Sequence, residues 1–182
     1  MNSFYTQDEL KKIGFKKIGN NVFISKKASI YSAELIEIGD NVRIDDFCIL
    51  SGNIKIGNYV HIAAYTALYG KFGIELGNFC GCSARCTIYS ASDDFSGEYM
   101  ISPMVPEELV NVTGGKVIFK DFVQIGANTV IMPNITISEG ASIGAMSFVN
   151  RSLDEWGVYA GIPCRKLRDR KRNIKNLKNK IK

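Results

Sequence analysis

The stretch FKDFVQIGANTVIMPNITI, Phe119 to Ile137, places an apolar residue at every sixth position: Phe119, Ile125, Ile131 and Ile137. The step continues through Ile143 and Val149. It also governs the chain ahead of an interruption, through Ile18, Ile24, Ile30, Ile38, Ile44, Leu50, Ile56, Ile62, Leu68, Leu76, Cys82 and Ile88. Four places after most of these anchors stands a second, usually smaller residue: Val22, Ala28, Val42, Cys48, Val60, Thr66, Cys80, Cys86, Val123, Thr129, Ile135, Ala141 and Ser147. A helix spaces its apolar face by three and four and a simple strand by two, so neither explains a strict six. A coil of short strands does: each hexad forms one strand and one corner, and stacking buries both inward positions.

Three hexads per turn give four coils before the interruption and two after it. At strand spacing the stack stands about 29 Å tall. Gly19, Gly39, Gly57, Gly77, Gly126 and Gly144 follow anchors directly, where a tight corner needs small size or positive φ. Asn and Asp follow as turn formers. The step slips by two residues between Ile30 and Ile38 and between Leu68 and Leu76, where corners are expected to bulge. Periodicity does not fix the hand of the coil.

Composition fits one domain over residues 1–182, with coils at 17–90 and 117–150 and an excursion loop at 91–116. Neither a leader nor a membrane-length apolar run is present, which points to a cytoplasmic protein without membrane insertion. Four of the five cysteines, Cys48, Cys80, Cys82 and Cys86, fall on inward positions, so they read as small core residues rather than metal ligands. No metal is expected. Residues 165–182 carry ten Lys or Arg, from Arg165 to Lys182, against Asp169 alone, leaving residues 1–164 net acidic. With Ile174, Leu177 and Ile181 at helical spacing, a basic helix is expected over 163–182. The basic run lacks interleaved aromatics, which argues against nucleic acid. At the other end Thr6 and Glu9 form a capping-box pattern, and Gly14 can stop the helix that Leu10 and Ile13 would dock.

These hexads, with the ending VYAGIPCRKLR (Val158–Arg168), resemble the hexapeptide-repeat acyltransferases. The resemblance covers nearly the whole chain. Within them YSASDDFSG (Tyr89–Gly97), the long excursion and IGANTVIMPNITI are similar to bacterial sugar acetyltransferases of surface-polysaccharide (lipopolysaccharide O-antigen) pathways. Some of those N-acetylate dTDP-linked 4-amino-4,6-dideoxy sugars. The resemblance implies an all-β, left-handed parallel β-helix of about six coils with short terminal helices, a homotrimer, and acetyl-CoA as donor. It also implies that the excursion reaches over a neighbouring subunit.

A prism of strands has no interior cavity, so a site must form on its outside. His61, the sole histidine, falls one step past the inward Val60 and should project outward from a face. Its ordinary pKa suits proton transfer near neutrality, and with the resemblance it is the expected base. Related O-acetyltransferases carry their histidine in the excursion, where this chain instead has Ser90, Ser92, Asp93 and Asp94. An amine, once deprotonated, needs less help than a hydroxyl, which favours N-acetylation. Tyr89, Ser92, Asp93 and Asp94 are then candidates for holding the sugar, with turn formation the plainer role of the two aspartates. The resemblance assigns backbone amides at Ala127, Gly144 and Ala145 to the pantetheine arm of the donor. Arg151, Arg165 and Lys166 match positions that meet its phosphates. O-acetylation of a glycan and a non-catalytic binding solenoid remain open as alternatives. One histidine per chain cannot build a three-histidine zinc site, and no nucleotide-binding glycine motif is present.

Overall fold

The computed structural model describes residues 3–181 as a parallel β-helix. Each coil places one short strand on each of three faces, and anchors stack on anchors. On the first face the register runs Ile18, Ile38, Ile56, Leu76, Phe119, Ile137. The second runs Ile24, Ile44, Ile62, Cys82, Ile125, Ile143, Tyr159. The third runs Ile30, Leu50, Leu68, Ile88, Ile131, Val149. All pairs in these columns are parallel. Every anchor from Ile38 onward is buried, and Ile18 and Ile30, in the first coil, are partly buried against the core. Burying one such aliphatic side chain contributes about 1.5–3 kcal/mol.

The corners obey a rule the glycines only half suggest. Gly39, Gly57 and Gly77 are needed for size, because a Cβ on Gly39 would sit 2.8 Å from the Gly57 carbonyl oxygen and one on Gly57 2.8 Å from the Gly77 carbonyl carbon. Positive φ falls instead three places after the anchor, on Asn21, Asn41, Tyr59, Phe79, Phe122, Gly140 and Trp156 along one corner. A left-handed conformation costs an ordinary residue about 1–2 kcal/mol. Stacking offsets that at the aromatics: Tyr59 and Phe79 lie 4.9 Å apart, Phe79 and Phe122 5.1 Å. Beside them runs an Asx ladder, in which the N–H groups of Asn20, Asp40, Asn58 and Asn78 each donate to the carboxamide or carboxylate oxygen one coil on.

Both slips are corner bulges. The first contains a 3-10 turn at Ala33–Leu35, and the second inserts its extra residues between Gly70 and Ile74, which pair with Gly52 and Ile54. The excursion leaves and re-enters without disturbing the stack, since Leu76 pairs with Phe119 directly. Its stem is the antiparallel pair Ala91–Ser92 with Thr113–Gly114, pinned where Gly115 N–H donates to Ser90 O at 3.0 Å. Phe95 and Met104 on the loop are about nine-tenths exposed.

The amino-terminal helix spans Gln7–Ile13 with both halves of the capping box formed and Gly14 left-handed at its end. The Lys26 ammonium, then the Thr6 N–H, hold the Glu9 carboxyl down at about 2. The carboxyl terminus corrects the expectation of a helix over 163–182. Arg165–Asp169 is a strand, antiparallel to Gly157–Ala160, and the helix is confined to Ile174–Lys178. The last parallel strand has an open edge whose backbone groups need partners, and this requirement outweighs the local pattern. Lys182 lies outside the described residues.

Burial pushes the thiol of Cys48 up to about 11 and that of Cys80 up to about 12, and raises that of Cys82 well above its ordinary value, so these cysteines are packing groups. A Cβ at Gly140 would meet the Trp156 ring at 2.5 Å. Gly140→Ala therefore displaces the end of the aromatic stack and should lower stability by about 1–3 kcal/mol, read as a fall in denaturation midpoint.

Candidate active site

His61 projects outward from the second face, between Arg43 on the preceding coil and Gly81 on the next. Its Nε2 lies 2.8 Å from Asp45 Oδ2, and Arg43 Nε donates to Asp45 Oδ1 at 2.7 Å. Partial burial works against the charge of Asp45, but the hydrogen bonds from Arg43 and His61 outweigh it and hold the carboxyl below its ordinary value. An ionised Asp45 accepts a hydrogen bond from Nε2–H, which keeps the proton on Nε2 and leaves Nδ1 with a free lone pair. The open groove around this pair encloses about 600 Å³ and is walled by Asn41, Tyr59 and Phe79 on one side and by Ala63, Gly81, Ser83 and Ala84 on the other.

From His61 a strip of small residues runs along the corner between the second and third faces. Ala64, Ala84, Ala127 and Ala145 occupy equivalent positions in four successive coils, and each precedes a residue of positive φ: Tyr65, Arg85, Asn128 and Met146. The carbonyls of Ala64, Ala84 and Ala127 accept from the next coil. Among the described residues, none accepts a hydrogen bond from the N–H groups of these four alanines. The result is a ladder of unpaired donors at the pitch of the coils. Gly144, expected in the same role, is different: its N–H is taken by Tyr159 O at 2.7 Å, and it serves by its size.

At the carboxyl-terminal end of this corner stand Arg151 and Arg165, each giving one long hydrogen bond to Cys164 O, of 3.4 and 3.3 Å. Their guanidinium groups have donors to spare. Lys166 is paired with Asp169 at 2.7 Å, and that carboxylate raises its pKa.

The excursion residues are not brought to His61 within one chain. Tyr89 stacks on Tyr69 on the third face at 5.3 Å, and Ser92 Oγ donates to Asp93 O in the loop stem. Asp94 closes its own turn. Desolvation opposes its charge, but hydrogen bonds from Ser96, Gly97 and Tyr99 hold it below the ordinary carboxylate range. The Asp93 carboxylate has no such engagement among the described residues. Among the described residues no group of three His, Cys, Asp or Glu could hold a metal ion, and no helix is long and apolar enough to cross a membrane.

Sequence reasoning missed Asp45, Arg43, Ser83 and the amides of Ala64 and Ala84. A usable signal existed for Asp45: it lies 16 residues before His61, about one coil away.

This architecture, a prism of six-residue steps with grooves along its outside, is that of a hexapeptide-repeat transferase. The family described as "Bacterial transferase hexapeptide (six repeats)" matches residues 36–70. The dTDP-4-amino-4,6-dideoxy-D-glucose acyltransferase of Escherichia coli is 39% identical over 183 residues, covering 99% of this chain and 95% of its own. A variant of AntD, an N-acyltransferase from Bacillus cereus, crystallised with dTDP-4-amino-4,6-dideoxyglucose and coenzyme A, superposes with a TM-score of 0.97 at 57% identity, over 99% of this chain and 97% of its own. AntD with dTDP and 3-hydroxybutyryl-CoA gives 0.96 at 57%, over 99% and 96%. The chain belongs to the hexapeptide-repeat acyltransferases.

Because its folded-state value is depressed, Asp45 stabilises the fold above the unfolded carboxylate pKa, and this is lost as pH falls through the folded value. In His61→Ala the second-named of its two stabilising hydrogen bonds is removed. Carbon-detected NMR titration should then find the Asp45 midpoint moved upward from the wild-type position.

Proposed function

We propose that this protein is an acyl-CoA-dependent N-acyltransferase acting on the amine of a dTDP-linked 4-amino-4,6-dideoxyglucose-type sugar. The observation that carries this reading is the meeting of two features at one place: the His61–Asp45 pair stands where the ladder of unpaired amides begins. Three coil steps, from Ala64 to Ala145, span about 14 Å, the scale of an extended pantetheine arm. Amide donors along that line match the carbonyls of the arm, and Arg151 and Arg165 at its far end match the phosphates. The ligands of AntD and the activity in the name of the Escherichia coli relative supply the chemical class.

The chemistry follows from the groups in place. The sugar ammonium gives its proton to Nδ1 of His61, while Asp45 holds the ring and favours the imidazolium that forms. The free amine attacks the thioester carbonyl, and a corner N–H donates to the oxyanion. Collapse breaks the C–S bond and forms the amide: the thiolate leaves with the proton from His61, whose freed Nδ1 then takes the second proton of the attacking nitrogen and passes it to solvent. Asp93, supplied by the excursion of a neighbouring copy in a homotrimer, orients the ammonium; Tyr89 and Ser92 border its approach. Asp94 keeps the loop turn in shape.

Acetyl is the acyl group expected of the donor. The small residues Ala63, Gly81, Ser83 and Ala84 leave room beside His61 for a longer chain, as 3-hydroxybutyryl-CoA on AntD also suggests for a relative. The reaction fits a cytoplasmic step of surface-polysaccharide assembly such as O-antigen synthesis.

Incubation with acyl-CoA donors and dTDP- or UDP-linked amino sugars, with free thiol followed, should show release with the dTDP-4-amino sugar. Release only with hydroxyl acceptors would instead identify an O-acyltransferase. His61→Asn should lower kcat about a hundred- to ten-thousand-fold while CoA binding persists. Ala145→Pro removes one ladder donor at a turn position that accepts proline, so KM for the acyl-CoA should rise up to about tenfold with kcat little changed.

A further inference from the structure

The prism closes on a β-hairpin in which Arg165–Asp169 pairs antiparallel with Gly157–Ala160, and Arg165–Asp169 is the terminal strand of the second-face sheet. It is the last layer of the stack, and all five of its residues are exposed. Ile162 in the hairpin turn and Leu167 on the strand are 76% and 65% exposed. The cations around them differ in engagement. Lys166 pairs with Asp169, Arg172 with Glu155 and Lys175 with Glu139, while Arg170 is bound to the carbonyls of Phe122 and Gly140. Arg168 and Lys171 have no carboxylate partner among the described residues. Residues 165–182 hold ten Lys or Arg against Asp169 alone and the rest of the chain is net acidic, so positive charge is concentrated on the closing layer and the tail that follows it.

We propose that this end of the prism is a peripheral docking surface for an anionic lipid bilayer, with Arg168 and Lys171 meeting headgroup phosphates and Ile162 and Leu167 entering the headgroup boundary. Charge complementarity carries the choice of partner. Each Lys or Arg beside an anionic leaflet strengthens attachment, and exposed aliphatics add hydrophobic contact without a membrane span. A nucleic acid fits less well, because the basic run lacks the interleaved aromatics on which bases stack. The strength of attachment rests on the homotrimer proposed above. A three-fold axis gives every protomer the same tilt, so three such ends face one side, and a surface that holds one end weakly holds three together through effective concentration. Arg151 and Arg165, which serve the donor phosphates in the proposed reaction, are not needed for this contact.

The test is flotation of the full chain with vesicles of phosphatidylglycerol and, separately, of phosphatidylcholine, on wild type, on Leu167→Asp and on the double variant Arg168→Glu, Lys171→Glu. All three positions are exposed, so the fold tolerates the changes, and melting curves verify this. Wild type should float with phosphatidylglycerol, stay in solution with phosphatidylcholine, and come off the anionic vesicles in high salt. The double variant should bind about a hundredfold more weakly and Leu167→Asp about tenfold, with thiol release from acyl-CoA unchanged in both. Equal binding to the two lipids, or wild-type binding by the double variant, overturns the surface. So does a preference for duplex DNA over anionic vesicles, read by fluorescence anisotropy. If wild type binds no vesicle, sedimentation velocity separates the causes: a trimer that ignores the lipid overturns the surface alone, whereas a monomer overturns the homotrimer reading with it.

Discussion

Everything in this molecule depends on the close vertical approach of equivalent residues in successive coils. Strands one coil apart are held at hydrogen-bonding distance, about 4.8 Å, and whatever occupies a position must tolerate its own counterpart above and below. Inward, the requirement selects Ile, Leu and Val in columns. At the first corner position it selects glycine, since a methyl group on Gly39 or Gly57 would strike backbone. At the left-handed corner it selects either Asn, whose side chain forgives the conformation, or flat rings that recover the cost by stacking.

The same constraint makes function possible on a surface without an interior. Repetition at fixed pitch turns a single unpaired N–H, negligible alone, into a row of four donors on one edge. It also sets Arg43, His61 and Gly81 side by side although the sequence separates them by about a coil each. The His61–Asp45 pair is therefore a diagonal contact between coils: Asp45 follows its anchor Ile44 by one place, and His61 precedes Ile62 by one.

The architecture was legible because its signal repeats. Eighteen anchors fell at the predicted step and all face the core, with only Ile18 and Ile30 in the first coil incompletely covered. The outward projection of His61 followed from the same count. What did not repeat stayed hidden. Arg165–Asp169 has no alternation and is exposed throughout, and only pairing with Gly157–Ala160 makes it a strand. The glycines were placed correctly for a reason only partly right, because size matters at Gly57 while positive φ sits two places later on Tyr59. Free amides have no side-chain signature, so Ala64 and Ala84 read as filler. The loop aspartates could not be told apart in sequence, whereas the structure shows Asp94 spent on its own turn.

The aromatic corner begins only at the third coil; in the first two the same position is Asn21 and Asn41. A solenoid is held together neighbour by neighbour, so its stability need not be uniform along the axis. From Tyr59 to Trp156 each ring rests on another and the tail clamps the far end. The amino-terminal coils lack that spine and rely on the capped helix with Leu10 as their lid. Local opening thus starts at the amino terminus, and amide hydrogens there exchange before those of the coils that carry His61 and the donor edge.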